Sequence, residues 1–265
     1  IYVKKNNMKK SIVLIVIFLL ALTQIQAAER WLEGYKKVLV IGAHPDDPET
    51  MCGGTILKLK AMGVEVVSVY LTSGEAGIRG KSHEESRTIR QAEARRACEV
   101  MGVRPVFMTQ IDGNAEVNKE RYAEMLALIK AEKPDMVITH WPIDSHRDHR
   151  VCAVLVYDAW RQSGYSFDLY YGEVMTGIQT QNFTPTLWVD ITDYHNKKVE
   201  AYMCHQSQGM NEVQEYHDTM ERMRGMEICD LMKQSQARLD SAECKQIIQS
   251  QTHHAEAFIK QNWGK

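Results

Sequence analysis

Val38-Leu39-Val40-Ile41-Gly42-Ala43-His44-Pro45-Asp46-Asp47-Pro48-Glu49 is the stretch on which the reading of this chain turns. Its first four residues form an unbroken apolar run, as expected of a strand buried on both faces of a parallel sheet. Ligands of an open α/β sheet gather at the carboxyl ends of such strands. At this end the sequence sets one imidazole and two adjacent carboxylates. Pro45 fixes its own φ and biases His44 toward an extended backbone. Side chains of neighbouring extended residues diverge, so Asp46 and Asp47 need not share a task. One can hold a metal while the other faces a water bound to it. Glu49, two residues past Asp47, can return to the same side as a support.

A second cluster, Asp144-Ser145-His146-Arg147-Asp148-His149, follows another strand-like run, Met136-Val137-Ile138-Thr139. A hydrolytic zinc site usually has three protein ligands and one open position. His44 and Asp47 offer two N/O ligands, and one histidine of the second cluster would complete the set. Neither cluster contains a cysteine, which favours a catalytic N/O site over a structural thiolate one. Such a set suits Zn2+, with Fe2+ or another divalent ion as the alternative. Either cluster alone reads as readily as a polar turn at a strand end. Both together, each after a strand, point to a metal.

Around these clusters strand and helix signals alternate, as in a parallel α/β fold. Strands are expected near residues 37–42, 64–71, 106–108, 136–139, 169–175 and 187–191. Helices are expected from Gly53-Gly54 to Gly63, over 84–101 and 120–132, from near Asp148 to 162, and over 194–206. The fold class is therefore Rossmann-like: an open, mostly parallel sheet with helices on both faces. The first and fourth strands can be neighbours at its switch point, which would unite the two clusters. The stretch 209–265, rich in Met, Gln, Glu and Arg, is expected to be a helical tail, covering the site or an oligomer contact. No repeat or linker divides residues 29–265, so one domain is expected.

The amino end reads differently. Lys4, Lys5, Lys9 and Lys10 precede an apolar run from Ile12 to Leu22, and Ala27 and Ala28 follow. That order is the order of a secretory signal peptide, expected to span residues 1–28 with Met8 as the start. Export to the periplasm or exterior follows, with no stable membrane anchor once the segment is cleaved; an uncleaved signal anchor is the competing reading. Removing it deletes four lysines and takes the formal charge from −2 to −6. A mildly acidic protein is not expected to bind nucleic acid or anionic membranes. The roughly 237 remaining residues suffice for a sizeable core. The six cysteines, Cys52, Cys98, Cys152, Cys204, Cys229 and Cys244, form no tight framework.

The two clusters resemble the signature of the PIG-L/LmbE-like zinc-dependent N-acetylglucosaminyl deacetylases: A-H-P-D-D-x-E at Ala43–Glu49 and H-x-D-H at His146–His149. Leu71–Gly77, Arg90-Gln91-Ala92-Glu93, His205-Gln206-Ser207-Gln208 and Ala255-Glu256-Ala257-Phe258 resemble further family motifs, so the likeness runs over roughly residues 36–260. It implies that His44, Asp47 and His149 bind the metal, and that Arg90 and Asp112 hold sugar hydroxyls. Asp46 is then the general base toward a metal-bound water, and His146 the stabiliser of the oxyanion. Asp148 is expected to set the His146 tautomer, or to cap the following helix. Arg90 has an alternative in Glu84 or Glu93 on its own helix, and Asp112-Gly113 in an ordinary turn. His205 is expected on a helix surface, His253 and His254 in structural roles, and His140 in the cleft beside Trp141. Trp141-Pro142-Ile143-Asp144-Ser145 and Ile78 depart from patterns seen in some members, which puts the leaving sugar in doubt.

The expected function is an exported, metal-dependent hydrolase that removes an acetyl group from an N-acetyl amino sugar or glycoconjugate. The alternatives are an amidase on another amide, a metallophosphoesterase, or a non-catalytic glycan-binding protein. Phosphoesterases often use two metals and more carboxylates, and sugar binding alone needs no base beside a metal.

Overall fold

The structure is a computed structural model that describes residues 30–235 and 254–262. The leader 1–28, Cys244 and His253 fall outside the described residues, as does the side chain of Cys229. Among the described residues Cys52, Cys98, Cys152 and Cys204 are free thiols, and no helix is long and apolar enough to cross a membrane.

The elements run β1 (Lys37–Gly42), α1 (Asp47–Ala61), β2 (Glu65–Thr72), α2 (His83–Met101), β3 (Arg104–Gln110), α3 (Lys119–Glu132) and β4 (Met136–His140). They continue with α4 (Arg147–Gln162), β5 (Asp168–Gly172), β6 (Leu187–Asp190), α5 (His195–Tyr202), α6 (Met210–Ser235) and β7 (Ala255–Lys260). The sheet order is β3-β2-β1-β4-β5-β7-β6. The pairs from β3 to β5 are parallel; β7 runs antiparallel to both β5 and β6.

β1 shows why its sequence has no polar face. Val38 and Val40 enter one core with Ile56 and Leu59 of α1 and Ala201 of α5. Leu39 and Ile41 enter the other, with Met125 and Ile129 of α3 and Leu155 and Trp160 of α4. All four β1 residues are fully buried, which is the pattern of a central strand covered on both sides. β1 pairs directly with β4, Val38 opposite Met136 and Ile41 opposite Thr139. The chain leaves β1 toward β2 on one side and reaches β4 on the other, so the switch point lies between them.

The helix expected over 194–206 ends at Tyr202 and the strand expected over 169–175 ends at Gly172, and two further elements differ more. α1 begins at Asp47, six residues before Gly53, because Pro48 occupies its first turn, where a missing N–H costs nothing. The backbone then breaks at Cys52 (φ −152°, ψ 34°) and starts again. Glu256 caps that second start, accepting from Gly54 N at 2.9 Å and Thr55 N at 2.7 Å. The tail is likewise not helical throughout. α6 fills Met210–Ser235, but residues 255–260 form β7, inserted between β5 and β6. Six residues with buried Ala255, Ala257 and Phe258 are too short a signal to stand out against the polar helix composition before them.

Candidate metal centre and cleft

The cleft lies off the carboxyl ends of β1 and β4. Gly42 is required there: a Cβ would meet Asp47 Cβ at 2.6 Å and Pro48 Cδ at 2.8 Å. Its absence lets α1 fold back over the strand end. His44 N donates to Asp47 Oδ2 at 2.7 Å, fixing that carboxylate at the helix start. Asp46 sits at φ 133°, ψ −26°, a region sparsely used by residues other than glycine and costing on the order of 1–3 kcal/mol. Arg90 holds it there. The guanidinium donates to Asp46 Oδ2 at 2.8 Å and to the Pro45 carbonyl, and is almost completely buried. Gly74, at φ 67°, leaves the space that Arg90 crosses; a Cβ would stand 2.5 Å from its Cδ.

Asp47 is the centre of the cluster. Its Oδ2 lies 3.4 Å from His44 Nδ1 and its Oδ1 3.4 Å from His149 Nε2. The far nitrogen of each imidazole faces carboxylate. His44 Nε2 is 3.1 Å from Asp112 Oδ1 and 3.2 Å from Asp148 Oδ2; His149 Nδ1 is 3.3 Å from Asp144 Oδ2. Outer carboxylates of this kind fix the orientation of metal-binding imidazoles. His44, His146 and His149 also converge, as do Asp47, His140 and His149. His140, however, accepts the Ala43 N–H on Nε2 at 2.9 Å, so that lone pair is committed. Burial, with the charge of His149, lowers its pKa to about 4, and the ring is a neutral prop.

Protonation follows from the same geometry. Burial opposes a charged His44, and the carboxylates of Asp112, Asp148 and Asp47 overcome it, raising the imidazole well above its ordinary value. Burial also works to raise Asp47, but the imidazoles around it hold that carboxyl well below its usual range. Asp46 goes the other way: burial, with the Asp47 charge beside it, raises it against the pull of Arg90. Three carboxylates around one imidazole form an anionic, N/O-rich pocket. The donor set His44 Nδ1, Asp47 and His149 Nε2 therefore fits a divalent cation such as zinc.

Several expected contacts are replaced by others. Asp148 does not set the His146 tautomer through its carboxylate. Its Oδ2 meets His44 and accepts from Gly113 N at 2.7 Å, while its backbone N donates to His146 Nδ1 at 3.3 Å. His146, not Asp148, caps α4. Arg90 pairs with Asp46 rather than with Glu84 or Glu93; Glu93 instead accepts from Ser207 N and Oγ at 2.9 and 2.6 Å. Asp112 is engaged with His44 and accepts from Ala76 N at 3.2 Å. His205 is fully buried, its Nε2 3.6 Å from Glu49 Oε2, because α5 stops at Tyr202 and the turn that follows carries His205 inward instead of leaving it on a helix surface. Glu49 in turn accepts from Tyr70 Oη at 2.5 Å. His140 lies behind the cleft, and Trp141 packs on Tyr171 and Phe183. His254 lies at the entry to β7 and bonds Asp218.

One residue of the site, Asp144, had no role assigned from sequence. Asp144 accepts from His146 N at 2.7 Å and faces His149; the only sequence signal was its place at the head of the second cluster. The outer wall is made by Met175, Gln179, Gln208 and, from α6, Met210, Val213 and His217, so the stretch expected to cover the site or an oligomer contact does border the cleft. With His44, Asp46, Arg90, Asp112 and His146 these enclose about 380 Å³.

A mostly parallel sheet with a histidine–carboxylate pocket at its switch point defines the class: an α/β protein whose strand-end site is of the kind that holds a metal. Residues 39–160 match the family model of PIG-L, GlcNAc-PI de-N-acetylase, and the chain belongs to the PIG-L family. Diacetylchitobiose deacetylase of Thermococcus kodakarensis is 33% identical over 194 residues, spanning 68% of this chain and 73% of that protein. The structure of N,N'-diacetylchitobiose deacetylase from Pyrococcus horikoshii superposes with a TM-score of 0.72 at 24% identity, covering 88% of this chain and 86% of that one. A 4-carboxy-2-hydroxymuconate hydratase from Pseudomonas putida shares the fold too, with a TM-score of 0.70 at 22% identity over 87% of this chain and 98% of that one. Fold alone thus does not choose the chemistry; the site must.

Proposed function

We propose that the protein is an exported, zinc-dependent hydrolase that removes the acetyl group from an N-acetyl amino sugar. The observation that carries this reading is the convergence of a raised carboxylate, Asp46, and a hydrogen-bond donor, His146, on the His44–Asp47–His149 set. The diacetylchitobiose deacetylase relative supports the substrate class.

When bound by His44, Asp47 and His149, zinc supplies Lewis-acid polarisation and lowers the pKa of a water. Asp46 accepts the proton of the attacking water through the oxygen that Arg90 does not hold. Arg90 keeps the strained Asp46 backbone and one carboxylate oxygen in place. His146 uses Nδ1 to accept the Asp148 N–H, so its neutral ring carries the proton on Nε2. Burial and the charges of His44 and His149 lower its pKa, which keeps that neutral form at pH 7. Nε2–H then donates to the oxyanion that develops on the amide carbonyl. Asp46 returns its proton to the departing amine, giving acetate and a free amino sugar. A cleft of about 380 Å³ is at the small end of ligand sites, roughly 300–1,000 Å³. It suits one acetamido sugar, with any further unit outside the mouth.

The test is an assay of the zinc-loaded protein against N-acetylated mono- and disaccharides, reading acetate and free amine together. Equimolar release of both is expected. Full zinc occupancy with no acetate from any acetamido sugar would overturn the reading. The export proposal rests on the lysine–apolar–alanine order of residues 4–28. Peptide mapping of native protein should find chains beginning near Glu29; an intact Met8 terminus contradicts it.

A further inference from the structure

Away from the cleft, three side chains from three elements converge. His195 opens α5, Asp218 lies on α6, and His254 immediately precedes β7. His254 Nε2 is 2.8 Å, and His195 Nε2 3.5 Å, from the same Asp218 Oδ1. The two imidazoles are stacked, centroids 3.7 Å apart at 17°, so both present Nε2 to one side. His195 Nδ1 is 2.8 Å from Glu221 Oε2, a buried carboxylate. That contact places the proton of a neutral His195 on Nδ1 and leaves the Nε2 lone pair facing a carboxylate oxygen. Two acceptors facing each other across 3.5 Å are reconciled by a second proton on the ring or by a cation between them.

We propose that His195, Asp218 and His254 bind a second divalent cation of the zinc type, outside the catalytic centre. Zinc holds N and O ligands at 2.0–2.2 Å, so tetrahedral ligand atoms stand roughly 3.3–3.5 Å apart. The 3.5 Å contact already has that spacing, and the 2.8 Å contact reaches it by a side-chain shift of about half an ångström. Glu221 is the outer carboxylate that orients one ligating imidazole. The three side chains are partly exposed, 15% for His195, 35% for Asp218 and 10% for His254, which leaves room for water as the remaining ligand. The backbone around His254 is already fixed: Ile191 N donates to its carbonyl at 3.0 Å, and its own N donates to Thr192 Oγ1 at 3.3 Å. The ion would pin α5, α6 and the start of β7 together. His217, next to Asp218, lines the cleft, so this pin stands behind the wall that α6 contributes.

The test separates the two sites by removing the catalytic one. The full chain carrying His44→Ala and His149→Ala is incubated with Zn2+, desalted and analysed for metal, and its melting is followed with and without Zn2+. We expect about one zinc per chain and a Tm raised by several degrees, with both effects lost on adding Asp218→Asn. Unmutated protein should hold about two. If the double variant, folded by circular dichroism, keeps no zinc and melts identically with and without it, the cluster is a hydrogen-bonded ion pair and the proposal fails. Co2+ absorption on the same double variant needs no mutation in the new cluster. Visible bands of a histidine-ligated ion support the site, and a featureless spectrum overturns it.

Discussion

Two buried charge clusters of the molecule use charge in opposite ways. At the strand ends, His44 alone faces Asp47, Asp112 and Asp148 within 3.4 Å, and carboxylates outnumber fixed cations. Behind α1, Lys198 faces Glu221 at 2.9 Å and Glu256 at 2.7 Å, and Glu256 also takes two backbone amides. In the second a permanent cation, raised above its ordinary pKa by those two glutamates against the cost of burial, balances the acids. In the first the balance is left open and Asp46 is held in a strained backbone. A buried polar cluster closed by its own lysine works as a strut. One with surplus carboxylate is prepared for something the chain does not itself supply.

That contrast can be broken by experiment, most strongly at Asp46. Asp46→Asn tolerates the positive φ but cannot take a proton, so deacetylation should fall by about 10²–10⁴-fold with metal content unchanged. Near-normal turnover at full occupancy would remove Asp46 as the base, and loss of metal would make it a ligand. Next comes Lys198→Met, which strands two buried glutamates. Breaking such a pair costs about 3–5 kcal/mol, a drop in Tm on the order of 10 °C for a chain of this size. The surviving folded fraction should still bind metal at the catalytic site, and a Tm unchanged within a degree or two would show that the lysine is no strut. Asp144→Asn keeps the shape behind His149 but weakens its partner. Metal affinity, followed by competition with a chelator, should fall about 10–100-fold, and an unaltered affinity would place Asp144 outside the metal centre. The smallest effect is expected one residue from the strut. Lys197 pairs with Glu200 at 2.9 Å in solvent, so Lys197→Ala should move stability by less than about 1 kcal/mol. A larger loss would mean that the whole first turn of α5, and not the Lys198 contact, is what matters.

Much of the frame was legible because it rests on local physics. An apolar run without alternation means a strand covered on both faces, and β1 is one. Two His/Asp clusters at strand ends need only a shared switch point to meet, and β1 pairs with β4 there. What escaped depends on partners far away in sequence. Arg90 reads as a helix-surface arginine until its partner, 44 residues upstream, is known. The roles of Asp144 and Asp148 depend on which imidazole each meets, and their places on either side of the His146 cap do not reveal that. His205 carries no signal of burial in its neighbours, yet it closes on Glu49. β7 is six residues long, and its strand state comes from Phe258 packing between sheet neighbours rather than from any strong local preference.

The bonds from Glu256 to Gly54 and Thr55 span 202 and 201 residues. The helix that begins at Asp47 thus has its inner start fixed by a strand about two hundred residues further along the chain. As the chain is synthesised, β1, β2 and β4 can pair long before residue 256 exists, but until then the amides at the α1 break lack their partner and the Lys198 ammonium has only Glu221. Closing so long a loop comes late in folding, after the nearer contacts have formed. The inner start of the helix that carries Asp47 is in this way completed by β7, and a chain interrupted shortly before β7 would carry every residue of the pocket but leave the α1 break uncapped.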